Sequence, residues 1–123
     1  MFRLLIFTLY MAMGFSQDGG VGEKSSPLNI PASFAGTYGE LRSGRFHAGL
    51  DFRVGGVVGE PIYSIDDGYI SRVTVSSTGY GNGLYITHPD GTTSIYGHMH
   101  NFSPEIARLV KERQYETESF NVN

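Results

Sequence analysis

The 123-residue sequence contains no cysteine. That excludes disulfides, thiolate metal sites, a cysteine nucleophile and an N-terminal lipoprotein anchor. Any metal site must therefore draw on His, Asp or Glu. Positive charge is also short: nine Lys and Arg against twelve Asp and Glu leave a formal charge of −3. With no basic stripe, nucleic acid is not an expected partner. No apolar run reaches the ~20 residues that a membrane-spanning helix needs. There is no Ser-centred nucleophile elbow and no internal repeat. The Gly79-Tyr80-Gly81-Asn82-Gly83 run lacks the following helix that a phosphate-binding loop requires. Glycine, by contrast, is abundant at 17 residues, about twice its usual share. With 13% aromatics and many Val, Ile, Thr and Tyr residues, it indicates one β-rich, turn-rich domain.

Residues 1–16 have the pattern of a signal peptide. Arg3 supplies the positive start, Leu4 to Phe15 the apolar core, and Gly14 and Ser16 the small residues before Asp18-Gly19-Gly20. The competing reading, a short membrane anchor, suffers from the length of that run. Cleavage would leave an exported protein, periplasmic or secreted, with no stable membrane span. Residues 17–33 are polar and rich in Gly, Ser and Pro, which suggests a linker or an extended arm.

The domain occupies residues 34–123, and from Phe34 onward its pattern becomes β. Phe46 to Val54 alternates, with Leu50, Phe52 and Val54 on one face and His47, Gly49 and Asp51 on the other. Asp66-Asp67-Gly68 is a turn, and both aspartates are turn formers. Tyr69 to Ser76 alternates again, Ile70, Arg72 and Thr74 facing away from Ser71, Val73 and Val75. Leu84 to Thr87 and Thr92 to Tyr96 flank His88-Pro89-Asp90-Gly91 as a hairpin, which places His88 at a surface turn. The one helix begins at Ser103 as cap, Pro104 and Glu105, with Ile106, Leu109 and Val110 as its apolar stripe. After Arg113 the chain turns polar and offers no closing strand.

Four histidines raise the question of a metal. On a flat strand, His47 and Asp51 would have Cα atoms ~13 Å apart, slightly too far to share an ion at ~2 Å. Gly49 between them permits the bend that would bring them together. Without that bend they are a surface His and Asp. His98 and His100 would share a strand face with Cα atoms ~6.6 Å apart. Spacing alone allows one or both to join the pair, or one to be structural and the other exposed.

The run Phe46-His47-Ala48-Gly49-Leu50-Asp51 opens an ordered series of motifs. Gly59-Glu60-Pro61-Ile62-Tyr63-Ser64, Asp67-Gly68-Tyr69-Ile70, Gly81-Asn82-Gly83-Leu84-Tyr85-Ile86-Thr87-His88 and Tyr96-Gly97-His98-Met99 follow it. This series resembles the lysostaphin/LytM-type zinc endopeptidases, over roughly residues 27 to 120. Gly36 to Arg42 is similar to the opening segment of the exported bacterial branch. The resemblance implies an antiparallel, mainly β domain of the duplicated hybrid motif type with one short C-terminal helix. It implies that His47 and Asp51 are zinc ligands, that His98 is the catalytic histidine beside the metal, and that Tyr96 supports it. The substrate it implies is the peptide part of cell-wall peptidoglycan.

The family's remaining ligand belongs to a separate, later His-x-His motif. His98-Met99-His100 imitates that motif, but its setting matches the earlier histidine, so His100 is expected to be a lookalike. Residues 34–123 are thus expected to be the N-terminal part of such a domain, truncated, incomplete and inactive alone. A non-catalytic LytM-like module that binds cell wall or regulates a hydrolase is the alternative. A biotinyl/lipoyl-type scaffold is disfavoured because no lysine lies between Ile62 and Ile95.

Overall fold

The computed structural model describes residues 23–123, so the expected signal peptide lies outside the described residues. Seven strands and one helix follow in order. They are β1 (Phe34–Gly36), β2 (Leu41–Arg42), β3 (Arg45–Phe46), β4 (Asp51–Phe52), β5 (Tyr69–Thr74), β6 (Gly83–Thr87), β7 (Thr93–Tyr96) and α1 (Pro104–Thr117). All pairings are antiparallel: β1 with β4, β2 with β3, and the three-stranded order β5-β6-β7. The architecture is mainly β with one short C-terminal helix, as the sequence suggested.

β6 is the middle strand, and its alternation decides where the core lies. Leu84 and Ile86 point inward and join Met99 and Ile106, with Ile70, Val73, Phe102 and Val110 packed around them. The expected faces of β5 need correction. A bulge shifts its register between Ile70 and Arg72, so that Ile70 pairs with Ile86 but Arg72 pairs with Tyr85. The extra residue, Ser71, moves the phase by one. Ile70 and Val73 then both reach the core, and Arg72 lies 4.9 Å over the Tyr85 ring on the other face.

The helix begins where capping chemistry placed it. The Ser103 side chain accepts from the Ile106 amide and Pro104 follows as the first helical residue. Ile106 is buried, but Leu109 is half exposed and leaves the predicted stripe. The helix also runs past Arg113 to Thr117. In place of a closing strand, Val122 makes a single antiparallel bridge to Val75, with both hydrogen bonds at 3.0 Å.

His88 is the clearest departure from expectation. It is buried, not at the surface. One ring nitrogen, Nδ1, lies 2.7 Å from the Asp67 carbonyl and the other, Nε2, 2.9 Å from Ser94 Oγ. Gly68 makes room for it, since a Cβ there would fall 2.5 Å from the Thr87 carbonyl and 3.1 Å from the His88 ring. A turn signal in sequence says nothing of what packs beneath the turn.

Of the span read as linker or extended arm, residues 23–33 are described, and they dock. Leu28 is buried. Ser25 donates to the Ile65 carbonyl, and Tyr63 donates to that of Pro27. Lys24 bridges Asp66 and Asp90, each at 2.7 Å. These hydrogen bonds hold both carboxylates below the ordinary aspartate range and raise the lysine. Depressed carboxylates stabilise above their ordinary value and lose that effect in acid. The raised lysine stabilises below its ordinary value and loses its effect in strong base. The clamp therefore operates across the neutral range. Lys24→Met is expected to speed hydrogen exchange of the Tyr63 amide at pH 7. The gap from wild type should narrow below pH 3.8, the ordinary aspartate value, and also at high salt. An unchanged exchange rate would show that the clamp does not hold the arm.

Candidate metal centre

The chain from Ser33 to Arg53 folds back on itself to build the site. β3 ends at Phe46 and β4 starts at Asp51, so the stretch between them is a bend and not the continuous strand its alternation suggested. The two halves then pair with different partners, β3 with β2 and β4 with β1. Leu50, expected on an anchoring apolar face, is half exposed, and Phe52 packs on Phe34 with ring centroids 5.0 Å apart. The bend required for a shared ion is thus present. It brings His47 Nε2 within 3.2 Å of Asp51 Oδ1.

A turn at 37–40 sets the orientation of His47. Gly39 sits at φ +78, where a side chain would be strained. Its amide donates to the His47 carbonyl at 2.7 Å, and the His47 amide donates to Glu40 at 2.8 Å. The His47 ring then meets the Thr37 carbonyl, Nδ1 to O 3.0 Å. A carbonyl can only accept, so Nδ1 carries the hydrogen and Nε2 is left to face Asp51. An imidazole lone pair and a carboxylate oxygen at this range repel unless a proton or cation lies with them. Two donors to one tetrahedral zinc sit about 3.4 Å apart, given bonds of about 2.0–2.2 Å. The pair fits two positions of such an ion.

Asp51 is held by a second partner. The Arg42 guanidinium binds its Oδ2, and that hydrogen bond, with lesser help from His47 and His98, holds the carboxyl below its ordinary range. His98 belongs to the same environment. It and His100 line one cleft of about 730 Å³ with Asp51, walled by Leu50, Phe52, Val58, Ile62 and Ile95.

The two histidines do not share a strand, because β7 ends at Tyr96. His98 adopts a left-handed conformation, φ +57, which is uncommon for a residue with a side chain. Tyr80 holds it there. The His98 amide donates to the Tyr80 carbonyl at 2.8 Å, and the two rings meet edge-on with centroids 6.3 Å apart. Gly97 permits this approach, since a Cβ there would fall 2.7 Å from the Tyr80 ring. Met99 is buried between the two exposed histidines. The Tyr96 hydroxyl takes the Ile65 amide at 2.9 Å and Ser94 Oγ at 3.0 Å, which ties the cleft wall at 62–65 to the sheet.

Among the described residues, no group of three His, Cys, Asp or Glu side chains is gathered to hold a metal. The described residues therefore contribute two donors and a neighbouring histidine. The family model of peptidase family M23 matches residues 45–115, more than half of the chain.

The chain belongs to peptidase family M23. This is the lysostaphin/LytM type that the ordered motifs resemble. At family level the chain is a peptidase, and so a hydrolase. Among curated proteins and among solved structures, nothing matches it. The M23 match contains His47, Asp51, His98 and His100. Thr37 and Arg42, which contact His47 and Asp51, precede it. Sequence reading missed both roles, and Tyr80 as well, because each acts through a contact that no short-range pattern encodes. In the described part of this M23 chain, no helix is long and apolar enough to cross a membrane.

Proposed function

We propose that this M23 chain is the metal-binding part of an exported, zinc-dependent endopeptidase that cuts peptides of cell-wall peptidoglycan. The observation that carries the reading is the His47–Asp51 pair, two donors 3.2 Å apart with the outer ring nitrogen fixed on a carbonyl. His47 would bind zinc through Nε2 and Asp51 through Oδ1. A bound zinc supplies a Lewis acid that polarises the scissile carbonyl and makes water nucleophilic at neutral pH. His98 would donate a hydrogen bond to the oxygen on which charge develops. Tyr96 keeps the cleft wall in register with the sheet, and the apolar walls limit water around the bound peptide.

Catalytic zinc normally has three protein ligands, and the family resemblance assigns the remaining one to a separate His-x-His motif. The two-donor set also favours a second reading, a non-catalytic module that binds cell wall or regulates a hydrolase. Both are tested with purified protein, measuring zinc stoichiometry and peptide release from peptidoglycan. The peptidase reading expects zinc-dependent release that His47→Ala and Asp51→Ala each abolish. Release that survives either substitution would defeat it. Zinc binding through the pair without hydrolysis would favour the second reading. A requirement for His100 in binding would make that residue a ligand.

A further inference from the structure

The residue that binds Asp51 Oδ2 lies outside both the donor set and the matched M23 span. Arg42 is in β2, cross-strand from Arg45, nine residues before Asp51. Its guanidinium binds Asp51 Oδ2 and also lies 3.7 Å from Glu40 Oε2. The β1–β4 pairing puts Gly36 opposite Asp51. A Cβ at Gly36 would fall 2.7 Å from Asp51 Oδ2 and 2.9 Å from Glu40 Oε2. The carboxylate is thus seated over a glycine and gripped on one oxygen. Its other oxygen, Oδ1, is the one that faces His47 Nε2.

We propose that Arg42 is a positioning residue for the metal centre. By occupying Oδ2 it makes Asp51 a one-oxygen ligand, aimed so that Oδ1 and His47 Nε2 meet the same ion, with Gly36 as the seat. The inference rests on the zinc reading above. Charge alone argues for the opposite effect, since an arginine beside a bound cation repels it and its removal should tighten binding. Orientation argues for weakening, because partners that orient a ligand are typically worth about 10–100-fold in metal affinity. Lysine keeps the charge but not the planar fork that fits a carboxylate. It therefore separates the two explanations.

The test titrates the full chain with cobalt(II), following affinity and the visible absorption of the bound ion. Arg42→Gln and Arg42→Lys are expected to weaken binding by about 10–100-fold. Both should also weaken the visible bands, as Asp51 becomes free to bind through two oxygens and raises the coordination number. Gly36→Ala, which alters no charge, should act in the same direction, because the added Cβ would meet first the Arg42 guanidinium and then the carboxylate it grips. Cobalt affinity that is unchanged or tighter in Arg42→Lys and Gly36→Ala would overturn the role of Arg42 while leaving the metal pair standing. Wild-type protein that binds no cobalt through His47 and Asp51 would overturn both.

Discussion

If the chain is the zinc peptidase proposed above, replacing His98 by alanine is expected to lower the turnover of peptide hydrolysis by about 10²–10³-fold while leaving the zinc content unchanged. A non-glycine residue at φ +57 costs of order 1–3 kcal/mol, and such conformations cluster where the surroundings enforce them for function. Here the enforcing contacts are identifiable: the Tyr80 carbonyl on the His98 amide, the Tyr80 ring on the imidazole, and Gly97 beneath them. The ring is held at the cleft that Asp51 also lines. On the proposed peptidase reading, a donor fixed beside a bound zinc would stabilise charge that develops only during reaction, so its loss would fall on turnover rather than on binding. His98→Asn is the informative companion, because asparagine tolerates the left-handed conformation and keeps the loop in place. Steady-state kinetics with metal analysis would read the result. Unchanged turnover would remove His98 from the chemistry, and lost zinc would make it a ligand.

Leu84→Ala is expected to destabilise the domain by about 2–5 kcal/mol. Leu84 is the one large side chain that is fully buried among the described residues. It lies on the middle strand, in register with Val73 on one side and Tyr96 on the other. Backbone bonds to both neighbours limit how far β6 can move to fill the space, which places the cost toward the upper part of that range. The core cluster has only four buried members, so one cavity affects a large share of it. Since 1 kcal/mol shifts the melting temperature of a domain near this size by about 4–8 °C, a fall of at least 8 °C should be seen. A shift under 3 °C would mean that the core lies elsewhere.

The elements themselves were legible. The helix start at Ser103-Pro104, the hairpin around Pro89-Asp90-Gly91 and the strands that became β5, β6 and β7 each rest on local chemistry. Capping, turn residues and alternation act over a few positions. The same locality explains the failures. The bulge at Ser71 reversed the expected facing of half of β5, and nothing in its alternating sequence marks the extra residue. The alternation from Phe46 to Val54 concealed a bend that Gly49 only permitted. His88 looked like a turn residue and proved to be a buried one, because its partners are 21 and 6 residues away.

For the candidate site the division follows the same line. Which donors exist was readable from the residues alone: His, Asp and Glu without cysteine, with His47 and Asp51 flanking a glycine inside an ordered family pattern. Folding is what makes two of them meet at 3.2 Å, fixes the imidazole on a carbonyl ten residues earlier, and puts Arg42 on the carboxylate oxygen turned away from it. Donor identity is a property of single residues. Whether donors share an ion depends on angstrom-scale distances that the bend, the strand pairings and a glycine seat set together.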